Sequence, residues 1–308
     1  MTRRYLIRRI LIAVPVLLGT TLLIYAMAFA LPGDPIRRLA GAHKISESTH
    51  REITERYHLD DPFIVQYVEY IKGLVRGDFG STFTGRDVSE IIAERFPVTL
   101  TLTLGAFAVE IVLGLIAAFV AALRRATFLD TFILVSTLIL ITIPAFVLGF
   151  TLQLMLGIKL RWFPVAGIQA GWQAYVVPWI VLGVGSAAAI GRIARSNLLD
   201  NINSEQIKAA TARGLPRRRV LGAHVLKNSL VPIITILGLD LAALMGGAPI
   251  TETIFNLPGL GQVLILGVRT ENGPLVVGLV TLAALIFIFT NLVVDIICAA
   301  IDPRIRYG

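Results

Sequence analysis

Three carboxylates stand inside apolar stretches of this 308-residue chain, and they are the first side chains that could do chemistry: Glu110, Asp240 and Asp295. A charge at membrane depth costs about 2.5–3.5 kcal/mol on insertion scales, so each needs a partner or a task. Asp240 follows Pro232 by about eight residues, near the middle of its stretch. There it pairs across a subunit interface, unless its helix borders a passage. Glu110 reads as a packing or interfacial group on a peripheral segment. Asp295, one turn after Asn291, reads as a structural group bonded to a partner subunit or a loop arginine.

Other chemistry is scarce. His43, His50 and His58 are spaced by 7 and 8 residues. Seven residues of helix rise about 10 Å, too far for one metal ion, so they read as surface histidines. One cysteine, Cys298, makes neither an internal disulfide nor a Cys-based zinc site. No Ser-His-Asp set, paired-carboxylate site or metal-hydrolase pattern stands out, and there is no Gly-x-x-x-x-Gly-Lys-Ser/Thr phosphate loop. The sequence assigns no catalytic residue and no metal or cofactor to this chain.

The elements that must hold these residues are membrane helices. The chain is 56% hydrophobic and 16% charged, with a mean hydropathy of +0.78, which excludes an ordinary soluble enzyme, a secreted disulfide scaffold and a disordered chain. A bilayer core about 30 Å thick needs roughly 20 apolar residues per helix. Six stretches approach that length, at 10–31, 98–123, 128–156, 175–190, 232–251 and 274–300. The fourth is the weakest, being short and glycine-rich. The first resembles a secretory signal, with Arg3, Arg4, Arg8 and Arg9 before it and Ala28-Phe29-Ala30 at its end, but its apolar run exceeds a signal's usual 7–15 residues and reads as an anchor.

With the amino terminus inside, the cytoplasmic segments hold sixteen Lys and Arg, against three in the two short outer loops. That asymmetry places both termini in the cytoplasm. It also accounts for most of the +8 net charge, so no nucleic acid partner is needed.

Two segments lie outside the bilayer. Residues 32–97 form a polar external insertion in which Phe63, Ile64, Tyr67, Val68, Ile71, Leu74 and Val75 share a helical face, opened by Asp61 and Pro62. Val88, Ile91, Ile92 and Phe96 make a second, shorter stripe. Such helices complete the fold or dock a soluble partner. Residues 191–231 form a cytoplasmic loop. In it Ser204 is an N-cap, Glu205 complements the helix dipole, Ala209, Ala210 and Ala212 favour a slim helix, Gly214 stops it, and Pro216 starts a second helix before Arg217, Arg218 and Arg219. This reads either as a compact helix-Gly-helix knob suited to enter a groove in another protein, or as an ordinary basic loop of the kind that cytoplasmic segments carry.

Beyond that, Lys208-Ala209-Ala210, three residues, then Gly214 and Leu215-Pro216 resemble the EAA loop of binding-protein-dependent ABC importer permeases, with Lys208 where the family has Glu. His224 to Pro232 is similar to the dipeptide, oligopeptide and nickel branch, of DppB/OppB type. So are Tyr5-Leu6-Ile7-Arg8-Arg9, Leu31-Pro32-Gly33-Asp34-Pro35, Gly77-Asp78-Phe79-Gly80-Ser81, Glu252-Thr253-Ile254-Phe255 with Pro258-Gly259-Leu260-Gly261, and the tail Asp302-Pro303-Arg304-Ile305-Arg306-Tyr307. The likeness covers essentially the whole chain.

The resemblance implies an all-α membrane protein with the type I ABC importer (MetI-like) permease fold: residues 1–31 as amino terminus and first span, 32–97 as external insertion, and 98–308 as permease core. It implies a heterodimer with a homologous permease, two cytoplasmic ATPases that bind ATP and Mg, and an extracytoplasmic binding protein delivering peptide, nickel, glutathione or another small solute. Docking to the ATPases would fall to Ser204, Glu205, Lys208, Ala209, Ala210, Thr211, Arg213, Gly214, Leu215 and Arg217. The path or gate would use Asp240, Met245, Gly246, Gly247 and Glu252, with Gln153 as a wall residue and Pro144 as a kink.

Overall fold

The computed structural model describes residues 3–29, 46–56, 58–82, 84–245 and 248–301. The Leu31–Pro35 motif, His43, Gly246, Gly247 and the 302–307 tail lie outside the described residues.

The described chain is helical apart from one isolated bridge, Ser81 to Asp87. In order come α1 (Arg3–Phe29), α2 (Glu47–Arg56), α3 (Phe63–Val75), α4 (Val88–Leu123), α5 (Phe128–Thr142) and α6 (Ala145–Leu152), which runs into a π-helical turn, Gln153–Lys159. Then follow α7 (Gln173–Ile202), α8 (Glu205–Ala212) and α9 (Arg217–Arg219), continued by a π-helical stretch, Val220–Leu226, into α10 (Lys227–Met245). Last are α11 (Pro249–Ile254), α12 (Leu260–Arg269) and α13 (Gly273–Ile301).

Among the described residues, four helical stretches are long and apolar enough to cross a bilayer: Val88–Leu123, Gln173–Ile202, Arg217–Met245 and Gly273–Cys298. The bent pair Phe128–Thr142 and Ala145–Lys159 makes a fifth if taken as one span, and α1 carries a shorter apolar run, Leu11–Met27. In each of the six stretches expected from the sequence the described residues are mainly helical, but four of the stretches differ in detail.

The second stripe of the external insertion is not a separate helix. Val88, Ile91, Ile92 and Phe96 form the first turns of α4, which continues through Pro97. The boundary drawn at residue 97 thus falls within one rod, whose outer end packs Val88 and Ile91 on Leu260, Leu275 and Leu279. Pro144 does more than kink its segment. Ile143 and Pro144 are both extended, and the chain turns by 97° there. A residue before proline is pushed out of the helical region, and here both residues leave it.

The fourth stretch looked weakest in the sequence, yet α7 is the most enclosed of the four long helices, because its small residues let neighbouring backbone come close. A Cβ on Gly183 would sit 2.6 Å from the Ala106 carbonyl oxygen, so only glycine permits this approach of α7 to α4. The fifth stretch ends at Met245; α11 beyond it is a separate short helix.

α7 packs along α4, α10 against α13, and α1 on the outside of α13. At the end that carries α8, Ala118, Ile190, Ala194, Leu198, Ile207, Val220, Val225 and Ile233 share one apolar cluster. At the opposite end, Leu102, Tyr175, Val177, Val181, Phe255 and Leu257 share another.

α3 is clamped to the spans by tyrosines. The Tyr67 hydroxyl donates to the Leu18 carbonyl (2.8 Å) and Tyr70 donates to Thr281 Oγ1 (2.7 Å), while Tyr25 contacts the rings of Phe63, Tyr67 and Tyr70. Burial pushes the Tyr70 phenol up to about 12, so it remains the donor at physiological pH. Ile64, Val68 and Val75 of the expected stripe are exposed; the aromatic half of the face does the packing.

Candidate coupling loop, outer loop and membrane carboxyls

The knob forms as a helix with one open face. In α8, Glu205, Gln206, Lys208, Ala209, Thr211 and Ala212 are exposed, while Ile207 and Ala210 are buried in the apolar cluster with Val220 and Val225. Glu205 and Lys208 pair on the open face at 2.6 Å. Ser204 occupies the N-cap position with extended backbone, but its hydroxyl donates to the Asn201 carbonyl (2.8 Å) instead of capping α8, correcting the role read from its type. Arg213 closes the helix, and Gly214 turns the corner at φ +75°, where any side chain would be strained. Leu215 N–H returns to the Ala210 carbonyl, the helix-ending pattern that a glycine in this conformation allows. Leu215 is half-buried, and exposed Arg217 opens α9, which reaches α10 without a break in helicity. α8 is thus joined through α9 to a 29-residue helical stretch, Arg217–Met245, long and apolar enough to cross a membrane.

A second clamp beside the knob escaped the sequence reading, which counted Arg195 only as a loop cation. Arg195 Nε and Nη2 donate to the two oxygens of Asp130, each at 2.8 Å, and Ala126 N–H donates to Asp130 Oδ2 at 2.9 Å. The lone carboxylate in the first turn of an otherwise apolar segment was the available signal. The bidentate pair ties the start of α5 to the end of α7, nine residues before Ser204. Asp130→Ala is expected to lower stability by about 3–5 kcal/mol, since it leaves a largely buried guanidinium unpaired. Adding Arg195→Met should restore most of the loss, which a double-mutant cycle on unfolding midpoints would read directly.

The outer loop is built around Glu252. Its side chain is 0% exposed. Thr99 donates to Oε1 (2.8 Å), Gln262 N–H donates to Oε2 (2.8 Å), and Leu260 N–H donates to Thr99 Oγ1 (2.8 Å). The carboxyl of α11 thus holds the first turn of α12 against α4 and anchors the loop. Gly259 and Gly261 follow from this: a Cβ on Gly259 would stand 2.5 Å from the Glu252 carboxyl, and one on Gly261 2.8 Å from Pro249. Gln153 acts alike on the other side, with Nε2 donating to the Val165 (2.8 Å) and Ile254 (3.1 Å) carbonyls. Met245, at the end of α10, is half-buried beside this layer.

The sequence treated Glu110 and Asp240 separately; the fold brings them together. Glu110 is 0% exposed, and its carboxyl faces that of Asp240 between α4 and α10. Its segment is not peripheral, because α4 is the main packing partner of α7. Asp240 is half-buried. Asp295 is half-buried on α13, next to Val294, which packs on Gly238. Among the described residues no three His, Cys, Asp or Glu are grouped as a metal site; His58 instead pairs with Asp61 at 3.2 Å.

Membrane-length helices, a helix-Gly-helix knob at one end and a layer of short helices at the other define an integral-membrane transport component. The chain belongs to the family described as "Binding-protein-dependent transport system inner membrane component", which matches residues 110–307; the companion amino-terminal family, "Binding-prot-dependent transport system membrane comp, N-term", matches residues 1–103. It is 34% identical to the oligopeptide transport system permease protein AppB of Bacillus subtilis, over 98% of this chain and 99% of that one. It is also 34% identical to the glutathione transport system permease protein GsiC of Escherichia coli K12, with the same coverage. The fold is shared with the inward-facing MetNI methionine ABC transporter (TM-score 0.56, 20% identity, 69% of this chain and 96% of that chain). An amino acid ABC transporter gives a TM-score of 0.51 at 17% identity, covering 70% and 94%. The protein is an ABC importer permease of the cytoplasmic membrane.

Proposed function

We propose that this permease forms half of a translocation path for di- and oligopeptides, paired with a homologous second permease and driven by two cytoplasmic ATPases. ATP and Mg are bound by those ATPases, and an extracytoplasmic binding protein presents the peptide. Both termini lie in the cytoplasm, in keeping with the sixteen-to-three distribution of basic residues. The external insertion stabilises the outer end, and the core from residue 98 carries the path.

One observation carries this reading: the exposed face of α8 is fixed by Ile207 and Ala210 to the same cluster that holds the base of the Arg217–Met245 rod. An ATPase that grips α8 moves α10 with it. Ser204, Glu205, Lys208, Ala209, Thr211, Arg213 and Gly214 form or frame the docking face, while Ala210 and Leu215 support it from beneath. Asp240 and Met245 line the path. Glu252 and Gln153 set the position of the outer gate. Alternating access then amounts to rocking these rods about the fixed outer anchor.

The test is uptake of a labelled oligopeptide into proteoliposomes that hold the full importer, with binding protein added outside. Uptake is expected to need ATP and every subunit, and to exceed uptake of glutathione. Uphill uptake by this chain without ATPases would overturn the reading, and preference for glutathione would reassign the substrate.

A further inference from the structure

Glu110 and Asp240 bring two acidic groups face to face within the membrane, and nothing described around them supplies a countercharge. Glu110 is 0% exposed, and neither of its carboxyl oxygens has a hydrogen-bond partner; Asp240 Oδ2 is buried and equally without one. Ionised carboxylates are acceptors only, so two that face each other remain unsatisfied unless a proton lies between them.

The surroundings offer no other remedy among the described residues. α7 presents Gly183, Ala187 and Gly191 to α4 along this stretch, and its first cation, Arg192, is exposed. From α13 the nearest titratable group is Asp295, which is also acidic and has an interaction of its own. On α4 and α10 themselves, no Lys, Arg or His lies between Val98 and Leu123 or between Asn228 and Met245. Two bare negative charges at this depth would repel strongly in a low-dielectric medium as well as losing hydration.

We propose that Glu110 and Asp240 form a proton-binding site that joins α4 to α10, a carboxyl–carboxylate pair sharing one proton. The proton is the ligand; the reaction is simple protonation, with no bond made or broken elsewhere. Glu110 donates to Asp240, or the reverse, and the shared hydrogen bond can engage two of the three oxygens that otherwise have no partner. Because α10 is the upper part of the rod driven from α8, the pair also reports on transport. Moving α10 away from α4 would admit water and release the proton. Thr103, whose hydroxyl donates to the Leu244 carbonyl at 3.1 Å, ties the same two helices further out and leaves the pair as the linkage at mid-depth.

The deciding measurement is infrared difference spectroscopy on the complete importer in lipid nanodiscs, comparing the nucleotide-free and vanadate-trapped states. A protonated-carboxyl C=O band that shifts in D2O is expected in the difference spectrum near neutral pH. Glu110→Gln, an isosteric change expected to fold, should abolish it, and Asp240→Asn should abolish it or move it. Two outcomes sink the proposal. If no protonated-carboxyl band is present in the parent complex, a cation from the partner permease neutralises the pair instead. If the band survives unchanged in both variants, the proton resides elsewhere. Proteoliposome uptake is not the readout, so failure here leaves the importer assignment intact.

Discussion

Alanine at Glu252 is expected to produce the largest loss of stability of any single change at the outer end. The carboxyl accepts from the Thr99 hydroxyl and from Gln262 N–H, and Thr99 in turn accepts from Leu260 N–H. Removing it leaves buried donors without acceptors, at about 1–3 kcal/mol for each, and opens a cavity in a fully closed site. Gly259→Ala should reproduce much of the effect from the opposite side. The backbone at Gly259 is extended, with φ −100° and ψ −179°, so alanine is conformationally acceptable there. The defect is steric: its Cβ would lie 2.5 Å from the Glu252 carboxyl. Thr99→Val, which removes one hydroxyl and keeps the shape, should fall between the parent and Glu252→Ala.

Unfolding midpoints of the detergent-solubilised importer, followed with peptide uptake, check the series. Parent-like stability for Gly259→Ala would show that the loop is held by something other than this carboxyl. A loss of uptake with unchanged stability in Glu252→Ala would instead give Glu252 a direct part in passage. That comparison separates an anchor from a gate-lining group, two roles that the residue type alone leaves undivided.

What could be read in the sequence depends on how far the deciding interaction reaches along the chain. Membrane segments declare themselves by apolar length, a local property, and so does the corner at Gly214, because a left-handed residue after a short helix calls for glycine. Resemblance found the EAA-like loop even with Lys208 in the acidic position. Pro97 misled because proline reads as a boundary, whereas long membrane helices tolerate it when neighbours stabilise the freed backbone groups. Ser204 misled because capping needs its oxygen to accept from a backbone N–H of the first turn, whereas its side chain is turned back to donate to the Asn201 carbonyl. Glu110 with Asp240, Asp130 with Arg195 and Glu252 with Thr99 are joined across 130, 65 and 153 residues, and no spacing rule links residues so far apart. Apolar surroundings single out Glu110 and Asp240 as costly carboxylates without naming a partner, whereas Asp130 and Glu252 carry no such mark in the sequence.

The knob itself yields the sharpest test of coupling, because adjacent alanines on α8 have opposite surroundings. Ala209 is exposed, and Ala210 is buried among Ile207, Val220 and Val225. Ala209→Trp should therefore leave insertion and the unfolding midpoint of the permease pair near the parent values, while placing a bulky ring on the docking face. Co-purification of the ATPases is expected to fall at least about tenfold, which corresponds to about 1.4 kcal/mol of lost association. Ala210→Trp fails differently. Overpacking a filled site costs about 1–3 kcal/mol, so the permease pair itself should lose stability before any ATPase is added. A substitution at Gly214 belongs to a third case, since space is open around it but φ +75° strains every side chain, shifting the direction of α9 and the rod beyond. Measured on the same preparations, unfolding midpoint and ATPase retention should move independently for Ala209→Trp and together for Ala210→Trp. Full ATPase retention and coupled hydrolysis in Ala209→Trp would remove the open face of α8 from the docking surface, and with it the route by which force reaches α10.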